Sequence, residues 1–164
     1  MEEHFEVKPV AWVSAQAGSD DKDDFWGGHP SVIELDPAFG EEALAGLDAF
    51  SHIEIVFVFH GVEAQTVCEG VRHPRGNEAW PRVGIFAQRG KRRPNRLGLS
   101  RCHLLRVEGR KLYVEGLDAR DGTPVLDIKP WMAEFGVSGE VRQPDWSVEL
   151  MRDYYRVARD SGGE

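Results

Sequence analysis

The nine residues from His52 to His60, HIEIVFVFH, restrict the fold more than any other stretch of this chain. In an extended segment Ile53, Ile55, Phe57 and Phe59 fall on one side, and His52, Glu54, Val56, Val58 and His60 on the other. One face is wholly apolar and the second mostly so, which predicts a strand inside a sheet rather than at its rim. Further extended segments are predicted over residues 7–14, 31–35, 83–87, 99–107, 112–117 and 125–128. The turn Glu108-Gly109-Arg110 joins two of them as a hairpin. Asp36 or Pro37 opens a short helix through residues 41–47. The best helical pattern covers 147–159, capped by Asp145 or Ser147, with Leu150, Met151, Tyr154 and Val157 as its apolar stripe. Residues 136–144 are linker-like, and Gly162-Gly163 ends the helical pattern.

Six to eight short strands with turn punctuation do not alternate with long helices, and no G-x-G-x-x-G follows a strand. A doubly wound nucleotide-binding sheet is therefore excluded. The predicted fold is mainly β, a single antiparallel β-barrel with peripheral helices. The barrel is assigned to residues 1–135, and a linker with a C-terminal helix, packed on or beside it, to residues 136–164.

A chain of 164 residues is long enough to bury one core. No run approaches eighteen apolar residues, and the start, MEEHFEVK, is acidic rather than a basic signal sequence, so a cytoplasmic protein is expected. Cys68 and Cys102 lie far apart without a C-x-x-C pair, which points to neither a disulfide framework nor a metal. The net charge of −8 is unevenly spread. Between Arg72 and Lys111, twelve Lys/Arg face only Glu78 and Glu108, a balance of +10; the remainder carries −18. Two explanations stand: local binding of phosphate, or compensation of the acidic remainder or of a second subunit.

Within that basic segment, VGIFAQRGKRRPNRLGLSRC places Arg89, Lys91, Arg92, Arg93 and Arg96 around a turn broken by Gly90 and Pro94. The segment GLDARDGTPVLDIKPW then supplies Asp118, Asp121 and Asp127, with Lys129. Such loops are either charged hairpin tips or two oppositely charged walls of a site. Arg72 and Arg75 form a second basic loop. Phe25 and Trp26, in an acidic loop before paired glycines, either fold onto the core or cover a flat ligand.

The sequence G-x-F-A-x-R…R-P-N-x-x-G-L-S, with D-x-x-D-G-T-P-V-L-D-I-K-P-aromatic, resembles the TsaA-like family. Here it reads Gly84 to Arg89, Arg93-Pro94-Asn95, Gly98-Leu99-Ser100 and Asp118 to Trp131, with Phe50-Ser51-His52 and the run ending at His60 in addition. The resemblance implies a non-Rossmann barrel that binds S-adenosylmethionine and methylates threonylcarbamoyladenosine beside the anticodon of tRNA. It implies cofactor contacts from Phe25, Trp26, His60, Gly61, Arg89, Leu99, Asp118, Ala119, Arg120 and Asp121. Arg89 would take the cofactor carboxylate through a bidentate pair, and Asp118 and Asp121 a ribose hydroxyl or the amino group. Arg72, Arg75, Arg92, Arg93, Arg96 and Lys129 are the candidates for RNA phosphate or an acidic group on the base; Lys129 and Asp127 could equally form a structural ion pair. No catalytic base is assigned. A histidine at a strand end such as His60 is more often a structural hydrogen-bonder than a catalyst.

The chain departs from the family at Ala87-Gln88-Arg89-Gly90-Lys91, where A-T-R-S-P is common, and at Asn95-Arg96-Leu97-Gly98, where N-P-I-G is common. Larger bacterial members carry a further domain after the barrel, where about thirty residues stand here. The alternatives are a methyltransferase for another acceptor, a small molecule or another RNA, and a non-catalytic cofactor-binding module. A homodimer is expected.

Overall fold

A computed structural model describes residues 3–15 and 23–157. Six strands close into one antiparallel barrel: β1 (Ala11–Ala15), β2 (Pro30–Leu35), β3 (His52–Val58), β6 (Leu97–Glu108), β7 (Lys111–Glu115) and β8 (Pro124–Pro130), in the spatial order β1-β2-β7-β6-β3-β8. The two-residue strands β4 (Val71–Arg72) and β5 (Val83–Gly84) pair separately. The expected barrel is the observed one. Its helices are short, a series of single 3-10 turns and α1 (Asp145–Met151). Among the described residues no helix is long and apolar enough to cross a membrane.

The period-two patterns place the core. Ile53, Ile55 and Phe57 of β3 point inward with Ala11, Val13, Ile33, Leu35, Cys102, Leu104, Leu112, Val114 and Val125 from the other strands. Two register shifts fit the barrel to its closure. One lies at Val56/Phe57 against β8, and one at Leu104/Arg106 against β7, where Leu105 and Arg106 both face solvent in succession. Gly98 faces inward under the Phe57 ring, and a Cβ there would lie 2.4 Å from Phe57 Cζ.

Three sequence expectations need correction. The segment 83–87 is a two-residue strand followed by a 3-10 turn, Ile85–Ala87, not a full strand. The Gln88 amide explains the break: it turns inward and donates to the carbonyls of Arg72 and Val83 at 3.1 and 2.9 Å. The helix over 41–47 is two 3-10 turns, Glu41–Leu44 and Leu47–Ala49, separated by Gly46 at φ +83. The terminal helix stops at Met151, where the chain passes into i,i+3 turns (Tyr154 amide to Met151, Arg156 amide to Asp153) and the carbonyls of Asp153 and Tyr154 accept the Phe25 and Trp26 amides. Its expected extension to Arg159 and the Gly162-Gly163 end lie outside the described residues, as do residues 16–22 of the acidic loop.

Antiparallel pairing brings the C-terminal ends of β1, β3 and β7 and the N-terminal ends of β2, β6 and β8 to one mouth. The loops carrying Phe25-Trp26, His60-Gly61, Arg89 to Arg96 and Asp118 to Asp121 all emerge there. Strand β6 overhangs β7, which begins to pair with it only at His103, so its first residues run on beside the 116–123 loop, with Leu97 and Leu99 exposed and Gly98 and Ser100 buried.

The packing of Gly98 predicts that Gly98→Ala overfills the core, since Phe57 is 1% exposed and its ring has no room to retreat. Overpacking of this kind costs about 1–3 kcal/mol. A lowered urea midpoint with unchanged slope is the expected result, while an unchanged midpoint would show that the ring can move aside.

Candidate functional site

Asp118 stands at the centre of the barrel mouth. Ser100 on β6, 2% exposed, donates its hydroxyl to Oδ1, and the Tyr154 hydroxyl donates to Oδ2. A partly buried carboxylate that keeps its charge needs such donors. Next to it Ala119 is buried. Burial foremost, and then the Asp118 charge, push the Tyr154 hydroxyl far above its ordinary range. The same two causes raise Tyr155 to about 12, against the opposing pull of Arg89. The thiol of Cys102, beneath the site on β6, is also raised by burial and then by Asp118.

Arg89 reaches across to β6, where its Nη2 donates to the Leu99 carbonyl at 2.7 Å. Two residues ten positions apart are thereby joined, as the sequence motif requires. On the other flank, His60 Nδ1 lies 3.3 Å from the hydroxyl of buried Thr123. A Cβ at Gly61 would sit 3.3 Å from Arg120 Nη1, so the backbone here gives the guanidinium close approach. Asp121 accepts the Ala15 amide at 3.1 Å, and Gly122 and Thr123 bond to Val13 at 2.8 and 2.9 Å. The Asp118–Asp121 loop is thus tied to β1 on one side and β6 on the other. Trp26 is buried, whereas Phe25 is exposed at φ +64. Of that aromatic pair, Trp26 packs inward and Phe25 faces out.

The cations divide by environment. Arg93 and Arg96 bond to the carbonyls of Gln88 and Val62, both at 2.8 Å, and staple the basic loop in which Asn95 and Arg96 adopt positive φ. Arg75 forms a bidentate pair with Asp24 at 2.8 and 3.0 Å and also bonds to the Asp23 carbonyl. Lys91 and Arg92 are exposed, and Arg72 is half-buried on β4. Lys129 pairs with Asp127 at 2.6 Å near the far end of β8, away from the mouth. Ser100, Tyr154 and Tyr155 escaped the sequence reading. Ser100 lies within the matched motif without a role there, Tyr154 reads as part of the helical stripe, and Tyr155 carries no sequence signal.

The set suits S-adenosylmethionine by donor chemistry. A carboxylate for an amine or hydroxyl, a guanidinium for a carboxylate, and close backbone approach at Gly61 are all at one mouth. A cavity of about 400 Å³ at the other end, lined by Val10, Leu35, Leu44, Leu47, Phe50 and Asp127, brings no cation to match a carboxylate. Among the described residues no group of three or more His, Cys, Asp or Glu could hold a metal.

Residues 23–137 match the family model described as the tRNA-methyltransferase O N-terminal domain. The human tRNA (adenine(37)-N6)-methyltransferase is 43% identical over 104 residues, which is 63% of this chain and 23% of that protein. Its counterpart in Escherichia coli K12 is 45% identical over 96 residues, 56% of this chain and 40% of that protein. A putative S-adenosylmethionine-dependent methyltransferase, RcsF, of Pseudomonas aeruginosa PAO1 is 36% identical over 141 residues, 80% of this chain and 60% of that protein. The crystal structure of TrmO from Pseudomonas aeruginosa superposes with a TM-score of 0.64 at 28% identity, covering 85% of this chain and 62% of that one. This chain spans less than two thirds of each of these relatives.

The titration of the tail tyrosines gives a pH test. The fold favours protonated Tyr155, so its contribution to stability is complete below its ordinary value of 10.0 and is lost as pH rises from there through about 12. Tyr155→Phe should flatten the alkaline fall of the denaturation midpoint over that window. An equally steep fall in the variant would assign the effect to other groups.

Proposed function

This chain belongs to the tRNA-methyltransferase O N-terminal domain family, and on that footing we propose that it methylates N6 of adenine 37 in tRNA, using S-adenosylmethionine. The observation that carries the proposal is the meeting of Arg89, Leu99 and the Ser100-held Asp118 at one barrel mouth, all inside the matched residues. When bound, S-adenosylmethionine supplies a methyl group on a sulfonium, ready for in-line displacement. Asp118 binds a donor of the cofactor, and Arg89 turns remaining N–H groups toward its carboxylate. The Phe25 ring, exposed at the edge of the mouth, covers the site and excludes water. Carbonyls and amides at His60-Gly61, Leu99 and Ala119-Arg120 read the adenine edge. The acceptor is threonylcarbamoyladenosine, whose carboxylate and flanking phosphates would meet the basic loop.

The departure from the family at Gln88 supports this reading rather than a different acceptor. Gln88 is 7% exposed and spends its amide on two backbone carbonyls, so this one change lies inside the loop, while the departures at Gly90 and Lys91 lie on its exposed face. That face adds an exposed cation, Lys91, where proline is common, beside exposed Arg92. The proposal includes a cytoplasmic homodimer. Closure of the barrel leaves only short strand edges, and outward Leu97 and Leu99 with exposed Phe86, beside the mouth, are the support for a second copy. Sedimentation at micromolar concentration should give twice the chain mass; a monomer throughout would remove the dimer.

Mass spectrometry of tRNA nucleosides from cells with and without the gene tests the activity directly. Loss of the N6-methyl product is expected, and identical profiles would overturn the proposal. On purified protein, Arg89→Ala and Asp118→Ala should each weaken S-adenosylhomocysteine binding by about 1.5–3 kcal/mol, the usual cost of a charge-assisted contact. Unchanged affinity in folded variants would remove both residues from the pocket. Replacing Lys91 and Arg92 by Ala should lower the log–log salt slope of tRNA binding by roughly 0.7–0.9 for each phosphate lost, with cofactor affinity unchanged. An unaltered slope would assign these cations to surface charge balance.

A further inference from the structure

Residues 152–157, which follow α1, cross the barrel mouth rather than leave it. Their backbone runs beside the Phe25-Trp26 loop: the Phe25 amide donates to the Asp153 carbonyl at 3.0 Å and the Trp26 amide to that of Tyr154 at 2.8 Å. The approach is so close that a Cβ at Gly27 would lie 1.9 Å from the Tyr155 carbonyl oxygen. Two outer ties hold the arrangement. Arg75 grips Asp24 on the loop, and the Trp80 indole N–H donates to Glu149 of α1 at 2.8 Å. At the inner end Tyr154 fills one oxygen of Asp118 while Ser100 fills the other, and Tyr155 lies within electrostatic range of both Asp118 and Arg89. The segment therefore covers Asp118, the carboxylate to which cofactor recognition is assigned, and runs near Arg89, which stays exposed.

We infer that residues 152–157 are a displaceable strap that competes with the cofactor. The Tyr154 hydroxyl takes on Asp118 the place of a hydroxyl or ammonium donor of S-adenosylmethionine, and the strap must swing out for the cofactor to enter. This rests on the proposed role of Asp118. A neutral phenol is a weaker partner for a carboxylate than an ammonium group, so exchange favours the incoming ligand. The outer tie Arg75–Asp24 grips the loop that backs the strap and not the strap itself, so its loss would loosen that backing and ease release. Ser100 stays with Asp118 in both states and keeps the carboxylate aimed.

Calorimetry with S-adenosylhomocysteine on the full chain, Tyr154→Phe and Asp24→Asn tests the strap. Both variants should bind more tightly, Tyr154→Phe by about tenfold, the effect of losing one charge-assisted hydrogen bond from the competitor. Equal or weaker binding by Tyr154→Phe overturns the inference. Hydrogen exchange gives an independent measure: ligand should speed exchange of the Trp26 amide, whose acceptor lies on the strap. Slower exchange there on binding would mean a clamp over the ligand and would also overturn it. Absence of binding in every protein defeats the cofactor proposal instead, and the strap is then judged without ligand. Faster Trp26 exchange in both variants, with β3 amides unaltered, upholds it, and unaltered Trp26 exchange overturns it.

Discussion

The short pairing of β1 with β8, Ala11 with Val125 and Trp12 with Pro124, closes the sheet, and the site depends on that closure. An open sheet of six antiparallel strands would spread its loops along two edges. Closure gathers alternate loops at one end, so segments remote in sequence share a single mouth. It also fixes the Asp118–Asp121 loop, whose anchoring bonds run to Val13 and Ala15 on β1. Had β1 not met β8, the loop would lose the wall against which it is set.

Within the mouth, position is maintained mostly by backbone carbonyls acting on long cationic side chains. Arg89 donates to a carbonyl of β6, Arg93 to Gln88 at the start of its own loop, and Arg96 to Val62 in the loop after β3. This lowers the repulsion inside the basic loop by spacing its charges, and it reduces the freedom of flexible side chains before any anion arrives. Guanidinium groups suit this double duty because each has five donors and spends only one or two on the scaffold. Lysine, with its charge on one rotating ammonium, is used at the exposed position 91.

The aromatic groups around Asp118 lower the local polarity while keeping the carboxylate hydrogen-bonded. Trp26 is buried, Tyr154 is half-buried, and the raised tyrosine ionisations follow from that setting. Charge interactions strengthen where water is excluded. A charged ligand at this mouth would meet Asp118 and Arg89 at more than their surface value.

The sequence by itself determined the barrel and most of its strands, because residues alternating inside and out leave a period-two trace; Ile53, Ile55 and Phe57 show it directly. It also determined which loops carry charge, and the family resemblance of its motifs implied that Arg89 and Leu99 serve one site. It could not reveal Ser100 or Tyr154 as partners of Asp118, since they lie 18 and 36 positions from it and meet it only through closure and the return of the chain. Local pattern also misplaced the end of the last helix. Leu150, Met151, Tyr154 and Val157 keep helical spacing, yet the backbone beyond Met151 bonds to Phe25 and Trp26. Only the tertiary structure decided that contest, because a carbonyl accepting from a distant strand-like partner is invisible to any window along the chain. It decided the cations in the same way: Arg75 and Arg92 look alike in sequence, and a carboxylate 51 residues away, Asp24, engages the first while the second stays exposed.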